Sequence, residues 1–290
     1  MSDFMQFLLS GITVGATYAL AGLGFTIIYN ASHVINFAQG EFMMIGGMAT
    51  VSLLAAGVPL PLAIVLAMAL AVAVGIALEK FAVEPAGKAE VVTLIIITIG
   101  ASLTLRGLAQ VVWDKKFHAL APFSGDTPIQ FLGAAILPQS LWVMGVSLVV
   151  VVALGWFFNR TLLGKAMLAT AFNGGAAQLV GINVKFMLML SFALSALLGA
   201  VAGILIAPIA PTSYDVGLMM GLKGFVAAVL GGLGNGLGAV VGGLVLGVAE
   251  TMTAGYVSSS YKDAVAFVLI FLILFFLPNG LFGKRGTERV

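Results

Sequence analysis

A chain of 290 residues with 61% hydrophobic and only 8% charged residues cannot build a soluble surface, since an ordinary soluble domain is roughly a quarter charged. Its formal charge of +2 is spread without a basic run or face, which excludes nucleic acid as a partner. The absence of cysteine excludes disulfides, thiolate metal sites and thiol nucleophiles.

Charged and proline-rich punctuation cuts the chain into nine apolar runs, about 6–29, 41–57, 59–79, 91–113, 136–158, 186–207, 216–233, 237–255 and 263–277. The stretch from Phe4 to Tyr29 is uncharged, follows no Lys or Arg, and outruns a signal-peptide apolar core, so it reads as a retained span. The second run is short and the seventh carries Lys223, which marks both as broken or re-entrant elements lining protein rather than lipid. The expected fold is all-α: one polytopic transmembrane helical bundle over 1–290, with about 8–9 membrane segments, one or two of them broken. Placing the connector 159–185 in the cytoplasm puts Lys80, Lys88, Arg160, Lys165, Lys185, Lys284, Arg285 and Arg289 inside and Lys115, Lys116 and Lys262 outside. Nine crossings then leave the N-terminus outside. Glycines four apart, Gly11 and Gly15, Gly199 and Gly203, Gly234, Gly238 and Gly242, and Gly243 and Gly247, suit closely approaching helices.

No zinc-protease, nucleophile-elbow or phosphate-loop motif is present, so no catalytic residue and no ATP site are expected. Gly234, Gly236 and Ala239 fit a dinucleotide pattern but lack the preceding strand. His33 and His118 lack companions at ligand spacing, so no metal site is expected. Between the first two runs, Asn36 and Gln39 resemble a helix N-cap pair, with Glu41 complementing the helix dipole. The alternative is a helix broken near Gly40 that exposes Asn36, Gln39, Glu41 and backbone donors to a polar pathway.

Arg106 and Glu250 stand inside apolar runs, where an ionised group costs at least ~2.5 kcal/mol. They are expected to face protein or water, paired with Lys223 or contacting a solute. In the connector, Asn173 suits the cap of a short helix running through Val180, and Gly181 suits its left-handed end. Ala169, Ala176 and Ala177 give it a small-residue face that fits another protein's groove, although Gly174 and Gly175 weaken the helix by about 1 kcal/mol each.

Together TYALAGLGFTIIY, VINFAQGEFMMIGG, GKAMLATAFNGGAAQLVGIN, GLKGFVAAVLGGLGNGLGAVVGGLVLGVAE and SSSYKDAVAFVLIFLILFFLPNGLFG resemble the permeases of Liv-type ABC importers for branched-chain amino acids, from Thr17 to Gly283. The resemblance implies a multi-pass permease subunit of the bacterial inner membrane that moves leucine, isoleucine and valine. It implies a second permease subunit, two cytoplasmic ATPases that use the ATP, and a periplasmic solute-binding protein, with no cofactor in this chain. By position, Gly164, Ala169, Asn173, Ala176, Ala177, Gly181 and Ile182 match the loop that docks on the ATPase, and Asn36, Gln39, Gly40 and Glu41 match the pattern after the first span. The chain departs from that pattern at Gln39, Leu168, Gly174 and Gly175. Two other readings stay open: a sister permease for urea, short amides or aromatic acids, and an ion- or proton-coupled transporter using Glu41 and Glu250. An intramembrane enzyme is disfavoured by the missing motifs.

Overall fold

The computed structural model describes residues 2–87, 89–131 and 133–283. Every apolar run becomes a helix: α1 (Ser2–Ser32), α2 (Gln39–Ala55), α3 (Leu60–Leu78), α4 (Val91–Trp113), α5 (Pro138–Arg160), then α6 (Leu162–Phe172) and α7 (Gly174–Leu179) in the connector, followed by α8 (Val184–Ile206), α9 (Val216–Gly231), α10 (Gly236–Tyr256) and α11 (Lys262–Phe276). A small hairpin, Ile129–Phe131 with Ala134–Ile136, precedes α5. Seven helical segments are long and apolar enough to cross a membrane, α3 counted with its continuation to Ala86 and α11 with the short turn that starts at Ser259. The two runs read as weak spans are the exceptions. At 1.5 Å per residue, α2 with 17 residues and α9 with 16 fall short of the ~30 Å hydrocarbon core. The connector differs from expectation, holding two helices rather than one.

Contacts sort the helix ends into two groups. At the connector end, Lys185 Nζ lies 2.8 Å from Glu84 and Asn30 Nδ2 donates to Gly234 O at 3.0 Å. At the other end, Gln6 brackets Ala135 with two hydrogen bonds, the His118 and Thr212 backbones pair, and Phe7 packs edge-on against Tyr256. The N-terminus therefore lies opposite the connector, as nine alternating helices require. Lys80, Arg160, Lys165 and Lys185 flank the connector end, and Lys115, Lys116 and Lys262 the other. Lys88, Lys284, Arg285 and Arg289 lie outside the described residues.

The centre of the bundle is α1, buried from Gly15 to Ile28 and packed against α8, α9 and α10. Small residues make this possible in lipid, which gives helices no hydrophobic reason to associate. A Cβ on Gly15 would stand 2.8 Å from Gly243 O, and Gly247 abuts the backbone of Gly11 and Gly15. Gly199 and Gly203 receive α2, while Gly238 and Gly242 receive α9. Gly234 departs from the expected face: it lies in the α9–α10 turn at φ +91°, where its lack of Cβ permits the reversal. The outward sides of α4, α5 and α11 are apolar and exposed, as contact with lipid demands.

Candidate functional site

The chain reverses after α1 at His33, whose φ of 54° is left-handed, and residues 34–38 rise irregularly to α2. Gln39, fully buried, donates through Nε2 to Ser195 O at 3.0 Å, and Ser195 Oγ lies within bonding distance of both Gln39 Oε1 and Gly24 O. Ser195 is the middle residue of the 23-residue α8, so α2 begins halfway through the bundle. Non-helical backbone at that depth persists only when protein or a water-lined cavity covers it. Here Val34, Asn36 and Ala38 are buried, and Phe37 N–H donates to Thr98 Oγ1 on α4 at 3.2 Å.

This geometry corrects the cap-pair reading. Asn36 Oδ1 accepts from Ala38 N–H in a local turn, Gln39 spends its amide on α8, and no side chain caps α2. Glu41, 1% exposed, accepts from Ser102 Oγ at 2.7 Å and pairs with Arg106 Nε at 3.1 Å. Gly40 lies backbone to backbone against Gly217 and Gly221 at the start of α9. Of the expected pathway residues, Gly40 and Glu41 thus meet α9, Gln39 meets α8 and Asn36 stays local. Thr98, Ser102 and Arg106, at i, i+4 and i+8, form a polar stripe on one face of the apolar α4. Sequence reasoning missed its first two members, although the spacing carried the signal.

The intramembrane charges fall into two clusters rather than one. Arg106 takes Glu41. Lys223 Nζ lies 3.1 Å from Glu250, 2.7 Å from Asp263 and 3.1 Å from the Tyr18 hydroxyl, which itself donates to Glu250 Oε2 at 2.8 Å. One buried cation thereby ties α9 to α1, α10 and α11. Tyr18 and Asp263 were not foreseen, because neither is unusual in its own segment.

In the connector, Asn173 Oδ1 accepts from Ala176 N–H at 3.0 Å, and Gly181 at φ +86° ends the helical stretch, as expected. Thr161 caps α6 through Gly164 N–H, and Gly164 sits against Phe157 and Phe158 where a Cβ would collide. The small-residue face is corrected: Ala177 is buried inside the chain and Ala169 and Ile182 are half-buried, leaving Ala176 outward. The surface presented outward is instead apolar and large, with Leu162, Phe172, Leu179 and Val180 all mostly exposed. Behind α6, a cavity of about 270 Å³ carries Thr26, Asn30, Asn159 and Ser191 and is walled by Met167, Leu168 and Ala171.

Residues 7–274 match the family described as the permease component of the branched-chain amino acid transport system. The chain is 34% identical to the high-affinity branched-chain amino acid transport system permease protein LivH of Salmonella typhimurium, covering 99% of this chain and 98% of that protein. It is 35% identical to the corresponding protein BraD of Pseudomonas aeruginosa, with the same coverage. Among solved structures, PsaBC from Streptococcus pneumoniae in complex with Fab superposes with a TM-score of 0.54 over 95% of this chain and 92% of that one; at 15% identity this shows a shared fold. A bundle of membrane-length helices around a broken, polar centre, matched almost from end to end, belongs to the permease components of branched-chain amino acid transport systems.

Proposed function

We propose that this protein is the membrane permease subunit of an inner-membrane ABC importer for leucine, isoleucine and valine, working with a second permease subunit, two cytoplasmic ATPases and a periplasmic binding protein. The observation that carries the substrate class is the end-to-end match to LivH and BraD, both named for branched-chain amino acids. The chain has no phosphate-cradling loop, so energy reaches it from outside. The exposed apolar edge of α6 and α7 is the surface suited to receive it. Nucleotide-driven movement of that edge shifts the equilibrium between two packings of the bundle, opening the pathway to alternate sides.

Topology is tested first. A single cysteine replacing Leu179, exposed in this cysteine-free chain, is expected to react with impermeant maleimide in inverted vesicles and not in spheroplasts, because a cytoplasmic connector is the arrangement that assigns most of the sequence's bases to the inside. Labelling in spheroplasts overturns the orientation. For the transport reading, the chain is reconstituted with its partner subunits. Leucine uptake is expected to need ATP, to survive an uncoupler at constant ATP, and to be inhibited by isoleucine and valine but not by urea, acetamide or phenylalanine. Collapse with the uncoupler would establish an ion-coupled transporter instead, and inhibition by urea or acetamide alone would reassign the solute.

A further inference from the structure

We propose that the seam between the amino ends of α2 and α9 receives the zwitterionic head of the transported amino acid, with its α-ammonium on Glu41 and its α-carboxylate on the first turn of α9. This deepens the import reading and rests on it.

Glu41 is 1% exposed, and among the described residues only one of its oxygens is engaged: Ser102 and Arg106 both address Oε1, while Oε2 has no hydrogen-bond partner there. That free oxygen is aimed at α9, where a Cβ on Gly217 would stand 2.6 Å from it. The amino end of α9 is equally unfinished. Val216 N–H and Leu218 N–H bond to Ser213 O and Asp215 O, no side chain caps the helix, and Gly217 N–H has no acceptor among the described residues. A carboxylate oxygen without a donor therefore faces a helix end without an acceptor, across a gap that three glycines have closed. Gly40 meets Gly217 and Gly221 so tightly that a Cβ on Gly221 would lie 3.0 Å from Gly40 Cα.

A zwitterion completes both sides when α2 and α9 part. Its ammonium supplies donors to Oε2, and its carboxylate accepts from the α9 N–H groups, at the positive end of the helix dipole. Charge selects against half-molecules. Arg106 balances Glu41, and the exposed Asp215 beside the seam, held by Ser213 Oγ, leaves one net negative charge there. A simple carboxylate is repelled by that charge, and a simple amine leaves the α9 end unfilled. The aliphatic side chain has apolar neighbours there but no room until the seam opens. Met43, Ile206, Val216 and Met220 line a crevice of about 10 Å³ beside the seam, and methionines repack readily around a branched group once α2 and α9 part.

The test uses the importer reconstituted with its ATPases and binding protein, turning over ATP with photo-leucine, the diazirine analogue of leucine. On illumination, adducts are expected within residues 41–44 and 216–220, suppressed by excess leucine. In Glu41→Gln they are expected to fall by about tenfold or more, since a hydrogen bond between charged groups is worth at least that factor. Should Glu41→Gln fail to assemble, a single cysteine in Met220→Cys decides the matter, with leucine expected to slow its maleimide labelling during turnover. Leucine uptake without adducts in either segment and without protection at position 220 overturns the seam site and leaves the import reading standing. Undiminished labelling in an assembled Glu41→Gln importer overturns the ammonium assignment. Absence of leucine uptake in the wild-type assembly overturns both readings, and is recognised before any labelling is done.

Discussion

Lys223→Met is expected to destabilise the bundle by about 3–5 kcal/mol, the cost of stranding one partner of a buried ion pair. The side chains of Lys223 and Glu250 are 8% and 5% exposed, so removing the ammonium leaves Glu250 buried with only the Tyr18 hydroxyl for company. Asp263, 44% exposed, rehydrates at little cost. The loss is a large share of the ~5–15 kcal/mol that holds a typical fold together, so the variant is expected to melt earlier in detergent and to accumulate poorly in the membrane. The double variant Lys223→Met with Glu250→Gln is expected to recover most of that stability, because a neutral amide keeps the bond to Tyr18 without a buried charge. Thermal unfolding followed by size-exclusion chromatography measures both. A single variant as stable as the wild type would show that this cluster does not lock α11 and α10 to α9.

The contrast between what was legible and what was not follows from the range of each interaction. Span positions depend only on how many apolar residues follow one another, and both the shortness of the second run and the charge of Lys223 in the seventh are one-dimensional properties that mark α2 and α9 as elements unsuited to span the bilayer alone. Asn173 and Gly181 were readable for a related reason, since a cap bonds two or three residues away. The partner of Glu41 was not: Ser102 lies 61 positions along the chain, and only the packing of α4 against α2 brings it near. Gln39 misled because a residue that could cap locally was drawn to the middle of α8. Ala177 misled because composition shows that a short helix has a small face, but not which way its neighbours turn that face.

Docking of the connector is exerted through its exposed edge and not through the buried Ala177. Ala177→Trp inserts an indole where the chain itself is closed, so it is expected to reduce the amount of folded subunit and to say little about docking. Leu179 and Val180, 90% and 77% exposed, touch little of their own chain, and polar replacement there is expected to shift stability by no more than about 0.5 kcal/mol. At an apolar contact with an ATPase the same change is severe, because a carboxylate pressed into a dry groove without a partner loses several kcal/mol of hydration. The double variant Leu179→Asp with Val180→Asp is therefore expected to reach the membrane in normal amounts, to lose ATPases on purification, and to lower uptake by about tenfold or more. Uptake and co-purification are measured on the same preparation, so a folding defect is separated from a docking defect. A double variant that transports normally and keeps its ATPases would remove the contact role from this edge, and the energy for moving α2 against α9 would have to enter the bundle elsewhere.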